Sequence, residues 1–147
     1  MSIFTTLEVS GSALSAERQR AEVVAANLAN AETTNTPEGG PYRRKEVVFS
    51  STGHAPFRMM LADYHVGGAS AAPGVRVQRV VEDSTEPVLR YDPGHPDADK
   101  DGYVAYPAIN PTQEMVDLLS AMRSYQLNAA AVAATKQMIE QSISLLK

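Results

Sequence analysis

The chain has 147 residues, 44% of them hydrophobic, no cysteine and a formal net charge of −4. That is sequence for one domain with a modest core, and it excludes a disulfide framework, a thiolate metal site and a cysteine nucleophile. The acidic balance argues against a nucleic-acid partner, since neutralising phosphates takes clustered Lys and Arg, and no apolar run reaches the ~18 residues of a membrane span.

The opening MSIFTTLEVSGS has neither a basic n-region nor an apolar h-region, so no ordinary secretory signal is expected. From Ile3 to about Ala31 the pattern is helical. Leu7, Leu14, Ala21 and Leu28 recur every seven residues. A second line through Phe4, Gly11, Arg18 and Ala25 is imperfect, holding one glycine and one charge. Gly11 either weakens the helix locally, at about 0.5–1 kcal/mol relative to Ala, or permits a close helix contact. Serines and threonines make the first half marginal as an isolated helix, whereas AERQRAEVVAANLANA is Ala-rich with interleaved charges. Asn27 and Asn30 are out of place in so good a helix, because Asn prefers caps and turns. Two readings are open: a fraying C-terminal end, or hydrogen bonding to a neighbouring chain.

ETTNTPEGGPYRRK ends the helix with Pro37, Gly39, Gly40 and Pro41. Its basic run, Arg43-Arg44-Lys45, is too short for a binding stripe and reads as a solvated turn. Short extended candidates follow at Lys45–Ser50, Phe57–Leu61, Val75–Glu82, Val88–Tyr91 and Tyr103–Tyr106, each bounded by Gly, Pro, Ser or Asp. Val75 to Val80 begins with the alternation of a half-buried strand, and Gly67–Gly74 reads as a loop or linker. The middle is a small, mostly antiparallel β-unit.

Asn110 to Lys147 is the strongest element. Met115, Met122, Ala129, Lys136 and Ile143 fall on one heptad line, and Leu118, Tyr125, Val132, Ile139 and Leu146 on another. Only Lys136 is charged, so the spacing predicts a long helix with a coiled-coil-like seam. Asn110 supplies a cap, Pro111 suits the first position and Gln113 completes a capping box. Glu114 and Asp117 place negative charge where the helix dipole favours it. At about 1.5 Å per residue the helix would be roughly 54 Å long, more seam than one small domain covers. The expected fold is mainly α with a small β insertion: two long terminal helices, residues 1–31 and 110–147, packing as a coiled-coil-like pair or assembly, with residues 32–109 forming the β-rich unit between them.

Little here suggests chemistry. Asp97, Asp99 and Asp101, with Gly102, match the opening of an EF-hand loop, but the ninth and twelfth positions are Ala105 and Ala108, and no bidentate glutamate closes the site. His54, His65 and His95 lack the spacing of a helical zinc site. There is no GxSxG, GxGxxG or P-loop. The tyrosines at 42, 64, 91, 103, 106 and 125 read as packing residues. No catalytic residue, no cofactor and no enzyme is expected.

SGSALSAERQRAEVVAANLANAETTNT and EMVDLLSAMRSYQLNAAAVAATKQMI together resemble the bacterial flagellar rod and hook protein family. The first is similar to its Asn-x-Ala-Asn-Ala helix end; in the second, Arg123, Ser124, Tyr125 and Asn128 fit its Arg-Ser-Tyr-x-x-Asn element. PYRRKEVVF, GVRVQRVVED and YDPGHPDADKDGYVAYPAIN resemble the proximal rod members rather than the longer distal rod or hook proteins. The resemblance implies a structural subunit of the flagellar drive shaft in the periplasm-spanning rod of the basal body, exported by the flagellar type III route. Implied partners are copies of itself, other rod proteins, and the export and ring components. The implied assembly interface takes Leu7, Leu14 and Leu28 from the first seam. From the second it takes Met115, Leu118, Met122, Tyr125, Val132, Ile139, Ile143 and Leu146, with Asn27, Asn30, Arg123 and Asn128 beside them. Two other readings use the same residues differently: a soluble coiled-coil adaptor or type III secretion component, and a calcium-binding module on the acidic turn.

Overall fold

Two long helices, of 27 and 34 residues, flank the β-strands. The computed structural model describes residues 3–52 and 73–145; the expected strand Phe57–Leu61, His54, Tyr64, His65 and Leu146 lie outside them. Helix α1 spans Ile3–Ala29, strands β1 Lys45–Thr52, β2 Gly74–Glu82, β3 Val88–Tyr91 and β4 Tyr103–Tyr106 follow, and helix α2 spans Pro111–Ser144. The fold is thus mainly helical with a small β insertion.

Each helix end has its own device. At the start of α2 the Asn110 side-chain oxygen accepts the Thr112 N–H at 3.0 Å, and the Asn110 carbonyl accepts the Glu114 N–H at 3.1 Å. Gln113 is exposed and takes no part in this cap. At the end of α1 both the backbone N–H and the side-chain amide of Asn30 donate to the Ala26 carbonyl, at 3.1 and 2.9 Å, while the Thr33 hydroxyl donates to Asn30 Oδ1 at 3.2 Å. Asn30 therefore closes the helix, as an asparagine near a C-terminus can. α1 runs unbroken through Gly11, where an added Cβ would meet nothing within 4 Å. Of the two roles open to that glycine, no close contact among the described residues requires it.

The strands form two two-stranded sheets, β1 with β2 and β3 with β4. β3 and β4 are antiparallel, with Val88 opposite Tyr106 and Tyr91 opposite Tyr103. Alternation puts Val88, Arg90, Val104 and Tyr106 on one face, where Val104 is wholly buried and the Arg90 guanidinium lies 4.7 Å from the Tyr106 ring centroid. Val75 and Val77 are half-buried and Arg76 and Gln78 exposed, as the sequence pattern predicts for the start of β2.

The β3–β4 connection is the acidic turn. Asp99 Oδ1 accepts the N–H groups of Asp101 and Tyr103 at 2.9 and 2.8 Å, and the Asp99 N–H donates to the Tyr103 carbonyl at 2.8 Å. Gly102 is left-handed there, with φ of 82°. A Cβ on it would stand 2.9 Å from the Tyr91 ring and 3.3 Å from Pro93.

The chain forms two compact units. The first draws on the described parts of Met1–Gln19, Phe49–Gln78 and Met122–Lys147; the second comprises Arg20–Val48 and Arg79–Ala121. In the first, Ser10, Ala16 and Thr135 are buried, and the Ser12 hydroxyl accepts the Val75 N–H at 3.1 Å while donating to the Val9 carbonyl at 2.7 Å. In the second, Val24, Asn27, Val104, Glu114 and Ala121 form the interior.

Two substitutions test this backbone. Gly102→Ala should lower the stability of the isolated subunit by about 1–3 kcal/mol in urea unfolding, since a left-handed non-glycine residue is strained and the methyl collides with Tyr91. Gly11→Ala should act oppositely, raising stability by about 0.5–1 kcal/mol, because an exposed helix interior gains from the swap.

Candidate functional site

Asn27 looks like a surface residue of α1 by type, yet it is 1% exposed. Its amide pairs with the backbone of Lys45 at two points, Oδ1 accepting the Lys45 N–H at 2.9 Å and Nδ2 donating to the Lys45 carbonyl at 2.8 Å. The side chain thereby stands in for a neighbouring strand at the first residue of β1. Nδ2 also donates to Glu114 Oε2 at 3.0 Å, and the Tyr42 hydroxyl donates to Oδ1 at 3.2 Å. Both donor hydrogens and both acceptor positions of the amide are used.

Glu114, also 1% exposed, is the second centre of this cluster. Its Oε1 accepts from Arg44 Nε at 2.6 Å. Arg44 pairs in addition with Glu46 and lies 3.9 Å from Asp117 Oδ2; Arg20 reaches the other Asp117 oxygen at 3.6 Å. Burial works against the charge on Arg44, but hydrogen bonding to Glu114 and the charges of Glu114 and Glu46 outweigh it, so the guanidinium is held above its ordinary pKa. The Tyr42 phenol is also pushed up, by burial first and then by the negative charges of Glu82 and Glu114.

Several sequence expectations change here. Asn27 is neither at a fraying end nor left with amide groups to offer a neighbouring chain, because its own chain uses them all. Glu114 is more than a dipole charge, being a buried partner of Arg44. Arg44 belongs to no solvated turn, although Arg43 beside it is exposed. Arg44 and Glu114 lie 70 residues apart in sequence, so no local pattern could pair them. The one available signal was the misfit of Asn27 in an Ala-rich helix.

The seam residues divide by exposure. Leu7, Leu14 and Leu28 of α1 are half-buried. On α2 the buried line is Glu114, Ala121 and Thr135, with Asn128 half-buried between them. This lies one residue before the expected line, where Met115, Met122 and Ile143 are exposed and Lys136 pairs in the open with Glu140 at 3.8 Å. Small and polar side chains occupy the in-chain contacts, which leaves the methionines facing out. Leu118, Val132 and Ile139 are half-buried, Tyr125 and Arg123 exposed. Asn128 donates to the Ser124 carbonyl of its own helix at 2.9 Å.

The acidic turn is occupied with its own backbone. Besides the bonds of Asp99, Asp97 Oδ2 accepts the Thr34 hydroxyl at 2.7 Å, the Asp97 N–H donates to His95 Nδ1 at 3.1 Å, and Asp101 is exposed. Among the described residues no group of three or more His, Cys, Asp or Glu side chains is placed to hold a metal ion. No described helix is long and apolar enough to cross a membrane.

Comparison with known proteins decides the family. Residues 7–35 match the flagella basal body rod protein family, and residues 100–145 match the C-terminal region of the flagellar basal body rod FlgEFG proteins. Flagellar basal-body rod protein FlgC of Bacillus subtilis is 43% identical over all of both chains. Its counterpart in Borreliella burgdorferi is 37% identical over 100% of this chain and 99% of the relative, and that of Salmonella typhimurium 38% identical over 99% and 98%. The chain belongs to the FlgC family of flagellar basal-body rod proteins. Both matched segments of this rod-family chain contribute to the buried cluster, Asn27 from the first and Glu114 from the second.

The cluster sets two expectations. Asn27→Ala should destabilise the subunit by about 2–4 kcal/mol in urea, because it strands part-buried backbone groups of Lys45 and an oxygen of the buried Glu114 carboxylate, whereas Asn30→Ala should cost about 1 kcal/mol or less. On alkaline titration followed by ultraviolet absorbance, Tyr42 should ionise above the usual tyrosine value. The folded state then holds that proton where the unfolded state has lost it, so stability should fall as pH rises through this window, and Tyr42→Phe should abolish that part of the decline.

Proposed function

We propose that this chain is a building block of the proximal rod of the flagellum, joined to copies of itself and to other rod proteins through its terminal helices. One observation carries the reading. Among the described residues, the apolar side chains of the buried core are Ala16, Val24, Val104, Pro107 and Ala121, none larger than valine. Large apolar side chains stand exposed in both units: Met115, Val116 and Leu119 in one, Met122, Leu127 and Ile143 in the other.

Burying one such side chain fully contributes about 1.5–3 kcal/mol. They repeat along helices long enough for a neighbour's helix to lie beside several at once, as in a coiled-coil contact. Contacts of this density make a stiff wall, which is what a shaft needs to transmit torque. On this reading the function is mechanical. Passage through the flagellar type III route, residence in the periplasm-spanning rod, and contact with export and ring components belong to the same reading.

Leu119→Asp is the direct test. Leu119 is 60% exposed, so the isolated variant should keep its helix content and urea midpoint. In cells the exported subunit should be detectable by blotting while rods fail to complete and motility is lost, because the change would bury an unpaired carboxylate. Normal swimming by Leu119→Asp cells would remove the face around Leu119 from the assembly.

A further inference from the structure

We propose that the buried cluster of Asn27, Arg44 and Glu114 is a register device: it selects one axial setting of α1 against the start of α2, so that every subunit presents the same outer face. The proposal rests on assembly through the helices, which gives a uniform outer face its value, but the device itself lies within one unit of one chain.

The apolar contacts of that unit discriminate poorly between settings. Val24 is the buried apolar residue of α1 there, with the half-buried Ala21 and Leu28 at helical spacing on the same face; on α2, Ala121 is buried and Leu118 half-buried. Sliding one helix past the other by a turn exchanges one small apolar side chain for another and changes the buried area by a few methylenes. Polar groups discriminate sharply. The same slide separates Glu114 from Asn27 and Arg44 and leaves a carboxylate among apolar side chains, far costlier than a methylene mismatch.

The cluster is also tied to a third element. Asn27 grips both the N–H and the carbonyl of Lys45, so the setting of α1 is fixed against β1 by two bonds at once. Arg44, the residue before, turns to Glu114. Helix, strand and second helix thus meet at groups that are satisfied in a single arrangement. Buried polar residues have this use in coiled coils, where they fix register although apolar replacements are no less stable.

The test is a distance measurement on the full-length subunit. The chain contains no cysteine, so spin labels go only where cysteines are introduced. Ala25→Cys on α1 and Ser120→Cys on α2 are both exposed and lie in the same unit. Pulsed electron resonance between them should give one narrow distance in the otherwise natural chain. The triple change Asn27→Leu, Arg44→Met, Glu114→Leu should retain helix content by circular dichroism yet spread the distances, with a second population displaced by about one helical turn, about 5.4 Å. A single narrow distance unchanged in the folded triple variant would overturn the proposal.

If the triple variant does not fold, Glu114→Leu alone is read instead. Arg44 then keeps Glu46 and Asp117 as partners, and the same broadening is expected. Loss of helix in both variants would also overturn the proposal, because the cluster would then hold the fold up rather than choose among folded arrangements. Failure of the assembly reading appears elsewhere, as normal swimming by Leu119→Asp cells, and leaves the distances untouched.

Discussion

The junction of α1, β1 and α2 in the second unit turns on one asparagine amide. A β-strand's first residue has backbone groups that need partners, and a small domain that buries them without partners loses a sizeable part of its margin. Here the partner is a side chain. Asn27 reaches from α1 with the same donor–acceptor pair that a neighbouring strand would offer Lys45, then uses its remaining hydrogen on Glu114. Aspartate would lack the donors, glutamine would set the amide one methylene too far, and leucine would offer nothing. Residue type and geometry are fixed together.

The ion pair beside it obeys the same logic. A buried carboxylate is tolerated when its lone pairs are filled and an opposite charge stands close. Glu114 meets both conditions through Asn27 and Arg44, and Arg44 spreads its charge to Glu46 and Asp117 nearer the solvent. Because the partners come from the end of one helix, the strand after it and the start of the other helix, the cluster sits where the two family-matched segments, residues 7–35 and 100–145, meet.

Much of this architecture is readable from the residues. The heptads of α2 run for most of its length, and its cap at Asn110 works as its composition says; β3 and β4 fall on the expected residues, because tyrosine, valine and leucine between Pro, Asp and Gly leave few alternatives. Of the face of α2 that packs within the chain, one edge was readable, the half-buried Leu118, Val132 and Ile139, while its fully buried line was not. A heptad count follows the largest apolar side chains, here Met115 and Met122, whereas the in-chain contact follows the smallest, Ala121 and Thr135, together with a charge. Nor could spacing reveal the cluster, since its members are joined by the fold across long stretches of chain. What a sequence can show at such a place is an anomaly, and Asn27 was one.

The small side chains of the core have a thermal consequence. Heat capacity of unfolding tracks the apolar surface released, and among the described residues the fully buried apolar side chains stop at valine and release little. The lone subunit should therefore have a shallow stability curve and a broad melting transition. The missing heat capacity has not vanished; it belongs to whatever process finally covers the methionines and leucines, and in a calorimeter it would appear as an association enthalpy that grows steeply more favourable on warming.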